Sequence, residues 1–169
     1  MKTILKIITL LSLAFSANAQ FGIHLDLAKP VGFANDGIKI GANFEYLFAA
    51  NNALAIGPAL DITMWTGIPG QPSGYRITDL ATQAVMKYFV NGDIEEGGFY
   101  PQFNLGLNTY KESYQGFSAS ASNLIYGLGA GYKSSGGFDI NVRYNITSVS
   151  AYGFTINNNT LQLQLGGYF

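Results

Sequence analysis

The strongest constraint on this chain is a period-two alternation that recurs along eight segments and keeps every charged side chain off one face. Successive side chains of a β-strand point to opposite faces, so such a pattern predicts strands with one apolar and one polar side. At the C-terminus Leu161, Leu163, Leu165, Gly167 and Phe169 share one face, and Gln162, Gln164, Gly166 and Tyr168 share the other. Phe138, Ile140, Val142, Tyr144 and Ile146 alternate in the same way with Asp139, Asn141, Arg143 and Asn145. The parity also runs through Phe21 to Leu27, Ile38 to Phe48, Leu54 to Met64, Asp79 to Tyr88, Phe99 to Asn108 and Asn123 to Tyr132. Apart from the shorter Phe21 to Leu27, these segments run about 9 to 11 residues each, the length of tilted strands that cross a bilayer and more than the usual strand of about 5 to 6.

The connections alternate in length. Ala49 to Ala53, Asn91 to Gly98 and Lys133 to Gly137 are short, whereas Lys29 to Gly37, Trp65 to Ile77, Lys111 to Ala121 and Thr147 to Asn158 are long. Short periplasmic turns and longer extracellular loops are the pattern of outer-membrane barrels. Composition points the same way. Hydrophobic residues make up 48% of the chain and charged residues only 11%, against about 25% charged in an average soluble domain. No stretch reaches the roughly 18 consecutive apolar residues of a membrane-spanning helix.

Met1 to Ala19 reads as a signal peptide, with Lys2 and Lys6 before the apolar run Ile7 to Phe15 and Ala17-Asn18-Ala19 as a small-x-small cleavage site. Residues 20–169 then form one barrel domain. Removing Lys2 and Lys6 from nine basic residues leaves seven against ten acidic, a charge of −3, which is no nucleic-acid profile. The absence of cysteine excludes disulfides, lipid attachment at a cysteine and thiolate chemistry.

Alternation alone does not say whether the apolar face points into a soluble core or out to lipid. The aromatics decide it. Phe21, Phe48, Tyr88, Phe99, Tyr132, Phe138 and Phe169 fall on the apolar face at the expected periplasmic ends of the strands, where a transmembrane barrel carries its interfacial girdle. The expected fold is therefore an all-β, eight-stranded, antiparallel up-and-down transmembrane β-barrel in the bacterial outer membrane. With alternation, girdle and terminal Phe169 together, residues 20–169 resemble the small eight-stranded outer-membrane β-barrels, the OmpX/OmpA-like and opacity-protein-like group of porin-family barrel domains. The resemblance implies that the closing strand Leu161 to Phe169 is recognised by the barrel assembly machinery, that the outer wall meets lipid, and that the chain is a monomer.

Eight strands enclose a lumen just wide enough for side chains. Asp26, Lys39, Glu45, Asp61, Lys87, Asp139 and Arg143 are expected there as a polar network, joined by Gln83, Gln102, Asn104, Asn108, Asn141, Gln162 and Gln164. His24, the single histidine, shares this face with Asp26, so a structural His–Asp contact is expected rather than a catalytic base. Asp93, Glu95 and Glu96 lack the spacing of a calcium loop. No enzyme activity, cofactor or metal is expected. Trp65, Tyr75, Tyr114, Phe117, Tyr152 and Phe154 are aromatics in the long connections, expected as an upper headgroup belt with loop packing in preference to extracellular contacts. The leading functional expectation is envelope structure or surface interaction. Its rivals are a narrow ion, proton or small-solute channel and an exported soluble barrel that binds an apolar ligand.

Overall fold

A computed structural model describes residues 19–31, 37–66, 70–90, 92–151, 154–157 and 159–169. The elements are β1 (Ala19–Val31), β2 (Lys39–Ala49), β3 (Leu54–Thr66), β4 (Arg76–Tyr88), β5 (Gly98–Tyr114), β6 (Phe117–Lys133), β7 (Phe138–Ala151), β8 (Phe154–Asn157) and β9 (Asn159–Tyr168). Strands β1 to β7 pair in chain order, each antiparallel to the next, and β9 pairs with both β7 and β1. This circular pairing leaves no open sheet edge around the wall. The chain is a closed, eight-stranded antiparallel barrel.

The ninth element lies outside that ring. β8 pairs only with the end of β7, from Ser148↔Asn157 to Ala151↔Phe154. The stretch expected as a loop over Thr147 to Asn158 thus continues as strand. The expected loop from Lys111 to Ala121 is also a correction: β5 and β6 pair without a break to Tyr114↔Phe117. Gln115 and Gly116 close this hairpin with φ of 47° and 85°, the two positive values that match the twist of a two-residue hairpin turn. Pairing of β6 with β7 begins only at Ile125↔Thr147, so residues 117–124 of β6 are paired on one side only, to β5, which is itself held by β4 as far as Arg76↔Ser113.

Inside and outside follow the parity. Along β1 the burial alternates strictly from Phe21 to Val31, with His24, Asp26 and Ala28 buried and Ile23, Leu25 and Leu27 exposed. β4 does the same from Arg76 to Tyr88. Large apolar residues cover the outer wall, whereas the buried residues are mostly polar. Two apolar clusters interrupt the polar interior. At the short-turn end Leu47, Val85, Phe89, Ile94, Tyr100 and Tyr168 pack together; at the long-loop end Trp65 and Ile77 are joined by Tyr75 and Tyr110.

Candidate functional site: the polar lumen

The interior side chains form a network whose bonds cross between strands that are not neighbours in the wall. At its centre, Asp61 on β3 faces Arg143 on β7, Nη2 to Oδ2 2.6 Å. Asn43 donates to the other oxygen of Asp61 at 2.5 Å, and Gln83 also donates to this carboxylate. Asn104 donates to Gln83 and to Asn145, and Asn145 donates to Gln162, which also accepts from Arg143 Nε at 3.1 Å. Every strand of the wall except β6 supplies a member of the central layer, or of the layer below it, from its middle; the end of β6 contributes Lys133, which is buried, donates to the Ile94 carbonyl at 2.7 Å and lies 6.0 Å from the Tyr168 ring centroid. Over its middle, β6 supplies space: a Cβ on Gly129 would lie 2.7 Å from that of Arg143, and one on Gly131 would lie 2.5 Å from the Tyr100 hydroxyl. The run Gly127-Leu128-Gly129-Ala130-Gly131 therefore makes room across the lumen and is no phosphate loop.

Gly131→Val is expected to destabilise the barrel by roughly 1–3 kcal/mol, the usual cost of overpacking an interior. Urea unfolding followed by near-ultraviolet dichroism would measure this. The neighbouring outward substitution Ala130→Val should have little effect.

Nearer the short turns, Lys87 Nζ stands 2.9 Å from Glu45 Oε2 and donates to the Tyr168 hydroxyl at 2.5 Å. Tyr168 in turn donates to Glu45, and the Tyr100 hydroxyl lies 2.7 and 2.8 Å from the two oxygens of Asp139. Lys87 also sits over both tyrosine rings, 4.7 and 5.0 Å from their centroids. Burying an ammonium or a carboxylate is costly unless it is paired and hydrogen-bonded, and here each meets both an opposite charge and a hydroxyl. Neither tyrosine was among the residues expected to carry the network. Tyr168 shared the polar face, but Tyr100 falls in the aromatic run Phe99-Tyr100, where alternation of hydropathy is lost.

Asp26, Lys39, Glu45, Asp61, Lys87, Asp139 and Arg143 are all buried in this interior. His24 is placed differently from the sequence expectation. Its Nε2 lies 3.1 Å from Asp139 and its Nδ1 3.1 Å from Asn43 Oδ1, while Asp26 accepts from Gln164 at 2.7 Å. Residues two apart on a strand point the same way but stand nearly 7 Å apart, so the partner of His24 comes from another strand. At the long-loop end Lys39 pairs with Asp79 at 2.5 Å and lies 5.4 Å from the Trp65 ring centroid. Beneath them is a cavity of about 30 Å³ bounded by Lys39, Asp79, Asn108, Thr147 and Gln162, room for a water molecule or two.

For Trp65 the structure corrects the alternative of an extracellular contact and agrees with packing beneath the loops. The residue is 5% exposed and packs inward against Ile77, with no free face for an extracellular contact. Tyr75 is half-buried beside it, and its hydroxyl pKa is pushed up to about 12 by burial and by the carboxylate of Glu112. Tyr114 is half-buried and Phe117 is 82% exposed at the hairpin tip. Tyr152 lies outside the described residues, and Phe154 is placed only as part of β8. Of the aromatics expected at the short-turn end, Phe48 is half-buried against Tyr46, whereas Phe21, Tyr88, Phe99, Tyr132, Phe138 and Phe169 are exposed on the outer wall. Asp93 accepts from the backbone of Glu95 and Glu96, a turn closed on itself. Among the described residues no three ligating side chains gather as for a metal.

No protein-family model and no curated protein matches the chain. Solved structures do. The N-terminal β-barrel domain of Pseudomonas aeruginosa OprF superposes with a TM-score of 0.63 at 11% identity, covering 89% of this chain and 97% of that one. The chain has the fold of the small eight-stranded outer-membrane barrels. The attachment invasion locus protein Ail of Yersinia pestis, in complex with the heparin analogue sucrose octasulfate, matches with a TM-score of 0.54 at 22% identity over 89% of this chain and 96% of Ail. The outer membrane enzyme PagL matches with a TM-score of 0.54 at 16% identity, covering 88% of this chain and 98% of PagL. That last likeness corrects the expectation that this barrel is not an enzyme. PagL is an enzyme on the same fold, so the architecture does not exclude activity.

Proposed function

We propose that this chain is an integral outer-membrane protein, a monomer whose wall spans the bilayer and whose lumen is shut by its own side chains, serving envelope structure or surface interaction. One observation carries the reading: the outer wall is a continuous apolar surface. Leu105, Leu124 and Leu128 are 44%, 57% and 68% exposed, and contiguous exposed apolar surface on this scale is foreign to a soluble monomer. The polar interior speaks against the rival of a soluble barrel with an apolar ligand inside, because among the described residues the lumen cavity is about 30 Å³ and is bounded largely by polar side chains. The leader Met1 to Ala19, removed on export, and recognition of Leu161 to Phe169 by the assembly machinery belong to the same proposal. Fractionation tests it. The mature protein should sediment with outer membranes and resist extraction by salt and carbonate; recovery in the soluble periplasm would refute it.

Two features support a shut lumen over a channel. The central pairs span the lumen, and the clusters around Trp65 and Phe89 close its two ends with apolar side chains. Folded protein in planar bilayers is expected to show no conductance steps. Reproducible steps that disappear on heat unfolding would reinstate the channel. Among the described residues one surface open to interaction is the tip of the β5–β6 hairpin, which extends past the last β4 pair and carries Phe117.

A further inference from the structure

The exposed charges of the described wall are sorted by end. Lys29, Arg76 and Lys111 are exposed on the outer surface toward the long loops, while Glu95 and Glu96 are exposed on a short turn at the other end. None of the three cations pairs with a carboxylate among the described residues. Glu112, the acid next to Lys111, turns the other way and accepts from the Tyr110 hydroxyl at 2.8 Å.

Arg76 and Lys111 are close neighbours. Arg76 is opposite Ser113 and Lys111 is opposite Thr78, which makes the two cations a diagonal pair on one face of β4 and β5, about 7–8 Å apart at the backbone. Like charges so placed repel. Ser120 stands opposite Lys111, with Ser118 and Ser122 on either side along β6, all exposed on the same surface. Ser122 shares a hydrogen bond with Thr109 at 2.9 Å, so the patch offers two cations and the hydroxyls of Ser118 and Ser120 with no internal anion.

Its height is set by the strands. Arg76 is twelve residues above Tyr88 on β4, and Lys111 is twelve above Phe99 on β5. At roughly 3.3 Å per residue and a tilt of about 40°, the patch stands about 30 Å from the aromatic level. An apolar band about 25 Å tall lies between the interfaces of such a barrel, so the patch reaches the far headgroup layer.

We infer that Arg76 and Lys111, with the flanking β6 serines, form a site for the phosphate groups of a lipid in the outer leaflet. Arg and Lys bind phosphate through charge-assisted hydrogen bonds, and the serine hydroxyls add donors. The inference rests on the membrane-spanning reading above, since it is the depth of the patch that selects a lipid headgroup over a soluble anion.

The test uses the full mature chain folded in phosphatidylcholine nanodiscs and titrated with bis-phosphorylated lipid A, its dephosphorylated form and inorganic phosphate, followed by backbone amide shifts. The bis-phosphorylated lipid should shift residues around Arg76, Lys111 and Ser120 saturably. Each charge removed should weaken binding roughly five-fold, so Arg76→Gln with Lys111→Gln should lose about 25-fold, while Arg76→Lys should keep most of the affinity. Equal binding of the dephosphorylated lipid, saturation by inorganic phosphate alone, or an unchanged affinity of the double variant with native shifts elsewhere would overturn the site. Failure of the unsubstituted chain to enter the nanodisc would overturn the membrane reading and the site with it, a result distinguishable from loss of phosphate selectivity in an inserted barrel.

Discussion

Asp61→Leu is expected to lower the stability of the folded barrel by roughly 3–5 kcal/mol, the cost of removing one partner from a buried ion pair. Arg143 is 1% exposed, and its Nη2 has Asp61 as its acceptor at 2.6 Å. Without that carboxylate a full positive charge stays buried, and Asn43 and Gln83 also lose their acceptor. Arg143→Met alone should cost less, because two amide donors still hold Asp61. The decisive variant combines them. Asp61→Leu with Arg143→Met should recover a substantial part of the loss, since replacing both members of a buried pair with apolar groups removes the uncompensated charge. Urea unfolding of the four proteins in the same micelles measures the cycle. If the double variant loses the sum of the two single losses, the pair is uncoupled and the lumen is wet enough to solvate each charge separately.

That pair also marks the boundary of what the sequence contains. Parity places Arg143 and Val142 on opposite faces with no other information, and it does the same for Asp61 and Ile62. It cannot join Asp61 to Arg143, because a contact across the lumen depends on strand tilt and stagger, which one strand's pattern does not encode. His24 shows the same limit: its nearest acid in sequence is Asp26, yet the ring reaches Asp139 on β7. Trp65 is a different case. It shares parity with Asp61 and Thr63, so its inward position was legible, and only its place near a loop suggested otherwise. The β5–β6 hairpin was hidden for a physical reason. Above the lipid band both faces of Ser118 to Ser120 are exposed, and a strand wet on both sides has no hydropathy alternation to read. Tyr100 was hidden by its neighbours, since Phe99 faces outward and the ring of Tyr100 looks equally apolar until its hydroxyl is seen against Asp139.

The outer wall yields the other large effect. Leu105 lies on β5 midway between Phe99 and Lys111, opposite Ala84 and Tyr126, and is 44% exposed. On a water-facing surface, Leu105→Arg would change stability by no more than about 0.5 kcal/mol. At the midplane of a bilayer the same arginine costs about 2–4 kcal/mol, and the cost falls to about 0–1 near the interface. The expected result is therefore a depth profile: Leu105→Arg strongly destabilising, Thr109→Arg near the patch only slightly so, both measured by reversible unfolding from phosphatidylcholine vesicles. Neither substitution touches the lumen, because both positions point away from it, so the profile isolates the solvent that the wall meets. A flat profile would mean that water, and not lipid, covers the leucines, and would refute the membrane-spanning reading. A steep one fixes the bilayer midplane at the level of Leu105, and the same strand then carries Lys111 about 15 Å higher, at the depth where phosphate begins.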